Sequence, residues 1–229
     1  MKLIAAAAVA AGLVVAGSAS ASGNLISNGS FESGTLDWTY SGSGADVPGH
    51  MAVVIPYNSS ANYPGGAFGE PIPPDNAPLS GSPDPVGNNA LYFVADASTE
   101  SLSQTVNLNT GFYTIGFDVY VPFNGERNSG DATFDGSIAG VNLAHFSAHS
   151  VAAGQWFAFR GVVNIATAGP QTAAFTYNSG PAPAADFVVD RAYIVAGNAV
   201  PEPASWALMI VGFGAAGAML RRRQVTATA

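Results

Sequence analysis

Apolar side chains recur at every second position along residues 111–121. One face of this segment carries Tyr113, Ile115, Phe117, Val119 and Val121. The other face carries Thr114, Gly116 and Asp118, with Phe112 and Tyr120 at its ends. Successive side chains of a β-strand point to opposite faces, whereas a helix would repeat its apolar face every 3 to 4 residues or so. The segment is therefore predicted to be a β-strand with one face in a core.

The same alternation predicts several further strands. It recurs at residues 155–165 and 171–177. Shorter candidates lie at residues 51–57, 90–95, 102–108, 133–146 (in pieces) and 187–195, separated by turns rich in Gly, Pro and Asn. No long helical pattern occurs between residues 22 and 200. We therefore predict an all-β fold, an antiparallel β-sandwich that occupies residues 22–198.

Residues 58–89 interrupt this pattern with seven prolines and several glycines. Proline has no backbone N–H to donate to a β-ladder, so the segment cannot form a regular strand. Because strands are predicted on both sides, we expect a long surface loop rather than a linker between domains. Loops of this length are often functional, and a tolerated insertion is the alternative.

The N-terminus has the three parts of a secretory signal peptide. Lys2 precedes an apolar run over residues 3–17, and the small residues Ala19 and Ala21 follow in an A-x-A arrangement. We expect signal peptidase to remove residues 1–21 by cleavage after Ala21. An uncleaved anchor helix is the alternative, but the run is short for a membrane span of roughly 20 residues.

The C-terminus combines a stiff peptide, an apolar segment and a charged stop. Pro201, Glu202 and Pro203 form an extended tripeptide, because each proline fixes its own φ and restricts the residue before it. Residues 204–220 are uncharged, and Trp206 lies at their outer edge, where indoles prefer the membrane interface. We predict a transmembrane helix over 204–220 in the inner membrane. The alternative, a buried core helix, would not explain why arginines cluster at one end.

Three consecutive arginines, Arg221, Arg222 and Arg223, close the segment and are expected to stay cytoplasmic with the short tail 224–229. Residues 199–223 as a whole resemble the PEP-CTERM sorting signal of Gram-negative bacteria, in its PEPxxWA variant. The resemblance implies processing near Pro201–Pro203 by an exosortase, which is a polytopic membrane transpeptidase. It also implies a protein exported across the inner membrane, transiently anchored, and then found at the cell surface or outside the cell. Bacteria with this system tend to make exopolysaccharide, which is therefore an expected partner.

The predicted exported region, residues 22–200, is strongly acidic. It holds 14 acidic residues, three arginines and no lysine, giving a formal charge of −11. Nucleic-acid binding is excluded as a function, because a polyanion needs a basic patch to displace its counterions. The chain also has no cysteine, which excludes disulfides, thiol catalysis and cysteine zinc sites.

The exported region also resembles jelly-roll carbohydrate-binding modules of the galactose-binding-like type. The similarity is carried by residues 24–34 with Trp38, by residues 111–119, by Trp156 with its strand, and by residues 186–194. Many such modules hold a structural calcium ion between a glutamate of the opening strand and an acid of the last strand. The resemblance implies these roles for Glu32 and Asp190, and calcium prefers such oxygen ligands. The alternative is a capped or solvated carboxylate at each position.

Two other groups of side chains are candidates for binding a metal ion. Glu126, Asp131 and Asp135 are close in sequence, but their spacing matches no EF-hand loop, so a solvated hairpin loop is the simpler interpretation. His145 and His149 have a zinc-like spacing, but no third ligand is evident and the local pattern favours extended chain.

Aromatic side chains suggest how a glycan would bind. Exposed rings pack against the C–H faces of sugars, and Tyr57, Tyr63 and Tyr120 are the candidates for such a platform. Trp38 and Trp156 are expected in the core, because large aromatic residues dominate sandwich cores.

The sequence contains no G-x-S-x-G elbow, H-E-x-x-H motif or P-loop. We therefore predict a non-catalytic surface or matrix protein that is associated with exopolysaccharide and binds glycan. One alternative is a purely structural matrix or adhesion protein without a ligand. The other is a small polysaccharide-active hydrolase with an acid pair such as Glu126 and Asp131.

Overall fold

A computed structural model of the chain describes residues 23–43, 52–75, 80–96, 98–197 and 212–213. The predicted signal peptide lies outside these residues. So does the predicted transmembrane segment, apart from residues 212–213, which are helical. None of the helices in the described ranges combines the length and the hydropathy that a membrane span requires.

The described residues from 23 to 197 contain ten β-strands and one short α-helix. The strands are β1 Thr39–Ser43, β2 Val53–Pro56, β3 Asn89–Phe93, β4 Thr99–Leu108, β5 Gly111–Tyr120, β6 Ala132–Ile138, β7 Val141–Ser147, β8 Trp156–Ile165, β9 Gly169–Ser179 and β10 Phe187–Ala196. Helix α1, Phe123–Glu126, follows β5, and a 3-10 turn, Ala148–Ser150, follows β7.

The strands form two five-stranded antiparallel sheets. The first sheet has the order β1-β4-β9-β6-β7, and the second has the order β2-β3-β10-β5-β8. Each sheet buries one face against the other, which is the packing of a β-sandwich. The predicted all-β antiparallel sandwich is confirmed.

The predicted inward face of β5 is confirmed residue by residue. Tyr113 is 5% exposed, and Ile115, Phe117, Val119 and Val121 are fully buried in the core between the sheets. Phe134 of β6 lies near the centre of this core. Its ring packs against aromatic rings from both sheets, namely Phe93, Phe117, Phe146, Phe175 and Phe187. Aromatic packing thus joins the two layers.

Strand β10 contains an irregularity that the sequence pattern did not reveal. Asp190 lies opposite Asp118 of β5, but the next residue in regular register is Tyr193, opposite Gly116. One extra residue therefore bulges out of the strand, and Arg191 adopts a positive φ of 53°. The bulge turns Arg191 toward the outer face, where its guanidinium contacts residues 75, 82 and 84.

Candidate functional site

The segment between β2 and β3 packs across the outer face of the second sheet. Ala67 and Ile72 from this segment are buried against Tyr92, Tyr120 and Val188 of the sheet, forming a second apolar cluster outside the main core. The sheet is therefore covered on both faces in this region. A strand covered on both faces buries the side chains that its outward positions carry, whatever their polarity.

Hydrogen bonds fasten this segment, which we call the covering loop (residues 57–88), to the sheet. The Tyr57 hydroxyl donates to the Asp190 carboxylate, and the indole N–H of Trp156 donates to the Pro73 carbonyl at 2.9 Å. The Glu70 carboxylate accepts the backbone N–H groups of Phe123 and Asn124, at 3.1 and 2.9 Å. The last two bonds tie the loop to the first turn of α1, whose N–H groups have no partner within the helix.

A buried group of charged side chains lies under the covering loop. Asp75 of the loop and Asp190 are fully buried, and Asp118 is 1% exposed. Arg191 contacts Asp75 at 3.4 Å and donates to the carbonyls of Ser82 and Asp84 at 3.2 and 3.1 Å. The group thus contains three carboxyl groups and a single guanidinium, and burial of unbalanced charge is costly.

Protonation reduces this imbalance. Burial, together with the adjacent Asp75 carboxylate, raises the pKa of Asp118 to about 8. Burial also raises the pKa of Asp190 well above its ordinary value, despite the opposing hydrogen bond from Tyr57. Asp118 is therefore protonated at neutral pH, and its proton can be shared with Asp75.

A cavity of about 360 Å³ opens at one end of the sandwich, beside the covering loop. Its lining includes Phe68, Asp96, Asn124, Asn128 and Asp186. Phe68 is 49% exposed, and its ring stacks on that of Tyr63 with a centroid separation of 5.0 Å and an interplanar angle of 7°. Because one face of the Phe68 ring is covered by Tyr63, the exposed surface belongs to its other face and edge.

The polar groups of this cavity are held in place by the backbone. Asn124 donates to the carbonyl of Phe68 at 3.2 Å, and Asn128 donates to the carbonyl of Ala184 at 2.5 Å. One Asp96 oxygen accepts the N–H of Ala184 at 2.6 Å. Each of these side chains keeps further donor or acceptor capacity.

Asp186 is the buried acid of this cavity. Burial raises the pKa of Asp186 to about 8, although the hydrogen bond from the Tyr92 hydroxyl, 2.9 Å long, acts in the opposite direction. Its carboxyl group is mostly neutral at pH 7 and can therefore both donate and accept a hydrogen bond. The cavity as a whole offers an aromatic ring beside amide and carboxyl groups.

The three tyrosines predicted to form a glycan platform occupy different surroundings. Tyr120 is only 3% exposed, because the covering loop packs over the outer face of β5. The expectation that the Tyr120 ring is exposed is therefore wrong. Tyr57 is partly buried and is engaged with Asp190. Tyr63 supports the exposed Phe68 ring from behind. Trp38 is buried in the core as predicted, whereas Trp156 packs in the second cluster.

The two residues implied as calcium ligands are held by separate sets of partners. One Glu32 oxygen accepts the backbone N–H groups of Asn88 and Asn89, both at 2.8 Å. Asp190 instead accepts from Tyr57 and from the N–H of Arg191. The described part of the chain contains no group of three or more His, Asp or Glu side chains arranged to hold a metal ion. Each of the two carboxyl groups therefore has protein partners of its own, and the calcium pair stays a prediction.

The two histidines considered as metal ligands each lie beside an aspartate. Nδ1 of His145 lies 2.5 Å from an Asp135 oxygen, on neighbouring strands, and Nδ1 of His149 lies 3.9 Å from an Asp131 oxygen. Asp131 also accepts the N–H groups of His149 and Ala132, and these bonds outweigh partial burial and lower its pKa. A general acid of a glycosidase needs the opposite shift. Glu126 ends helix α1.

Sequence patterns assigned none of the residues that line this cavity to a site, and Phe68 is the aromatic one among them. It lies in the Pro/Gly-rich segment, where no periodicity marks which side chain will be exposed. Its position depends on the stacking against Tyr63 and on the bond from Asn124, 56 residues away along the chain.

The C-terminus matches a known family of sorting motifs, and the sandwich is similar to several solved structures. No curated protein matches the chain. The solved structure of TmCBM61 in complex with β-1,4-galactotriose is similar at 19% identity and a TM-score of 0.46, covering 77% of this chain and all of that one. The CBM22-1 xylan-binding domain from Paenibacillus barcinonensis is similar at 17% identity and a TM-score of 0.40, covering 80% of this chain and 99% of that one.

The K3 cleaved adhesin domain of Lys-gingipain from Porphyromonas gingivalis is similar at 13% identity and a TM-score of 0.43, covering 73% of this chain and 97% of that one. Residues 199–223 match the family described as the PEP-CTERM protein-sorting motif. This motif implies processing by an exosortase and an exported, membrane-processed surface protein. The chain accordingly carries a PEP-CTERM sorting motif after an all-β antiparallel sandwich.

Proposed function

We propose that the protein is a non-catalytic, exosortase-processed surface or matrix protein whose sandwich binds an extracellular glycan in the cavity beside Phe68. The observation that carries the proposal is the exposed face of Phe68 next to two amide side chains and two carboxyl groups. Sugar-binding sites combine an apolar surface for C–H groups with a few fixed polar groups that set orientation.

The polar lining fits uncharged sugar hydroxyls. Asn124 and Asn128 offer both donors and acceptors, and Asp96 offers acceptors. Asp186 remains mostly protonated at neutral pH, so it can also donate. The lining contains no cationic side chain. A neutral glycan is therefore the ligand class that this cavity favours, and an anionic one would meet Asp96.

The export route is part of the proposal. We expect signal peptidase to cleave after Ala21, residues 204–220 to lie transiently in the inner membrane of a Gram-negative bacterium, and Arg221–Arg223 to remain in the cytoplasm until processing. Exopolysaccharide is the glycan that we expect the exported protein to bind.

Affinity electrophoresis of the full-length protein, in gels that contain host exopolysaccharide or neutral polysaccharides, tests the binding. We expect retardation by at least one gel, its loss in Phe68→Ala, and its recovery in Phe68→Trp, because tryptophan restores an aromatic face. Leu36→Ala is the matched control, since Leu36 is 61% exposed and lies outside the cavity. If Phe68→Ala is retarded as strongly as the wild-type protein, or if no glycan retards the wild-type protein, glycan binding at Phe68 is rejected. The alternative of a structural matrix protein then remains. Hydrolysis of a glycan, lost in Glu126→Gln, would establish an enzyme instead.

A structural calcium ion between Glu32 and Asp190 is a separate part of the proposal and rests on the resemblance to carbohydrate-binding modules. Calorimetric titration with calcium, with and without Glu32→Ala, is the test. Heat of binding and a raised melting temperature, both lost in the variant, support the site. The absence of heat together with an unchanged melting temperature rejects it.

A further inference from the structure

The covering loop leaves part of the second sheet's outer face open. Next to Gly81 of the loop lies a cavity of about 330 Å³, separate from the Phe68 cavity. Its lining includes Gly81, Thr114, Arg160, Tyr193 and Val195. Further along the same face, Val162 is 55% exposed and Phe112 is 51% exposed. The cavity therefore continues into an open, partly apolar strip of sheet.

The register of the sheet explains why the cavity forms here. Gly116 of β5 lies between Arg160 of β8 and Tyr193 of β10, since each is its direct partner in a neighbouring strand. The glycine places no side chain between them, and the Tyr193 side chain lies across it. A Cβ atom at Gly116 or at Gly81 would collide with the Tyr193 hydroxyl.

Arg160 is a cation without a counter-charge among the residues that the structure describes. Its exposed side chain makes no hydrogen bond or ion pair to any part of the chain that the structure describes, whereas Arg191 is bound to Asp75 and Arg127 lies over the Phe123 ring. Residues 22–200 hold 14 acidic side chains and three arginines, so partners for an arginine are plentiful. The position of Arg160 keeps its guanidinium available to a ligand.

The Tyr193 hydroxyl is a second, independent indication of a ligand. The residue is fully buried, and its hydroxyl has no hydrogen-bond partner within the described ranges of the chain. Buried hydroxyl groups normally have a partner, and leaving one unpaired is costly. The group lies at the edge of the cavity beside the Arg160 side chain, whose positive charge partly offsets the effect of burial on the pKa of Tyr193.

We propose that this cavity binds the carboxylate of an acidic sugar residue. The Arg160 guanidinium is the principal hydrogen-bond donor to that carboxylate, and the Tyr193 hydroxyl is a second donor. A planar guanidinium matches a carboxylate with two parallel N–H···O bonds. Val162, Val195 and Phe112 offer apolar surface to the C–H groups of the neighbouring sugars. Phe112 lies four residues along β5 from Gly116, about 13 Å at the usual strand rise, so the strip accommodates more than one sugar ring.

The surroundings favour an isolated carboxylate rather than a dense polyanion. A single arginine on a strongly acidic protein does not provide the basic patch that a polyanion requires. The inference goes beyond the proposed function, because the Phe68 cavity has acidic side chains and no cation, whereas the Arg160 cavity has a cation. We therefore expect the Phe68 cavity to prefer neutral glycans and the Arg160 cavity to prefer acidic sugars.

The test compares cellobiouronic acid with cellobiose, which differ only in the carboxylate, by calorimetry on the full-length protein in detergent. We expect cellobiouronic acid to bind at least tenfold more tightly, with an affinity that falls as salt is raised. The preference should disappear in Arg160→Gln, weaken in Tyr193→Phe and persist in Phe68→Ala. Because Arg160 is exposed, we expect Arg160→Gln to fold normally. An unchanged melting temperature verifies this.

Equal affinity for the two disaccharides, or unchanged preference in Arg160→Gln, overturns the proposal. Sodium acetate supplies the carboxylate without a sugar, and equally tight binding of acetate would overturn the sugar assignment. Failure of the Phe68 proposal would be seen separately, as neutral polysaccharide binding that Phe68→Ala does not change.

Discussion

Asp118 shows how a single residue takes its chemistry from tertiary contacts. In sequence it is one of the polar residues on the outward face of a strand. In the structure the covering loop buries it against Asp75, while the bulge in β10 brings Arg191 near it. A side chain that the strand pattern assigns to solvent thus becomes part of a buried charged group.

This burial predicts how stability depends on pH. An unfolded aspartate ionises near its ordinary pKa of 3.8, whereas Asp118 in the folded protein ionises near 8. Between these values folding takes up a proton. The contribution of Asp118 to stability is therefore fully present below about pH 4 and is lost as the pH rises toward about 8. Asp186 contributes in the same direction.

The substitution Asp118→Asn should therefore raise the melting temperature at pH 9 by at least about 3 °C, given that 1 kcal/mol corresponds to about 2–4 °C in a chain of this size. It should also flatten the fall in stability between pH 4 and pH 8. Calorimetric melting at pH 5, 7 and 9 measures both effects, with the exposed Asp37→Asn as control. An identical pH profile in wild type and Asp118→Asn would contradict the assignment.

At the scale of elements, the covering loop acts as a third layer over part of the sandwich. Proline excludes it from the ladder, and its apolar side chains instead form the second cluster with the outer face of β3, β5 and β10. Its attachment to α1 through Glu70 also positions Phe68 in the proposed glycan cavity.

Ile72 is the test residue for this layer, because it is 1% exposed and belongs to the second cluster alone. Ile72→Ala should destabilise the packing of the loop by about 2 kcal/mol or more. Hydrogen exchange should accelerate at the described loop residues while β6 and β9 of the first sheet keep their protection. Leu36→Ala, at an exposed position, should leave exchange unchanged. Uniform acceleration throughout the sandwich would show that the loop is not a separate layer.

At the scale of the whole molecule, the chain joins a folded sandwich to a sorting motif at residues 199–223. The stiff Pro201–Pro203 peptide follows closely after β10, whose last residue is Ala196. The sandwich and the processing site are thus adjacent in the chain, and processing near the motif would leave every strand of the sandwich intact.

Substitution of Glu202 by Ala in the native host should block this processing, because it alters the peptide that the exosortase is expected to recognise. We expect the uncut precursor to accumulate in the membrane fraction, with a corresponding loss of mature product. Immunoblotting and mass spectrometry of the C-terminus measure both, and Thr226→Ala in the tail is the control. Recovery of native wild-type protein from cytosol with Arg221–Arg223 intact would contradict the assignment of an exported protein.

Sequence alone located most strands, the inward face of β5 and the core position of Trp38, since these follow from a local period of two and from residue size. Strand β1 was missed, because its sequence TYSGS has no apolar alternation. The sorting motif was also readable directly, because its recognition depends on adjacent residues and not on a fold.

Which outward-facing residues are buried and which are open depends on packing between distant parts of the chain. Tyr120, Asp118 and Arg160 all lie on outward positions, yet the covering loop buries the first two and leaves the third exposed. The contacts responsible join residues from 43 to 133 positions apart, such as Asp75 with Asp118 and Tyr57 with Asp190. A local sequence pattern carries no information about such distant partners, so both proposed cavities became visible only once the chain was folded.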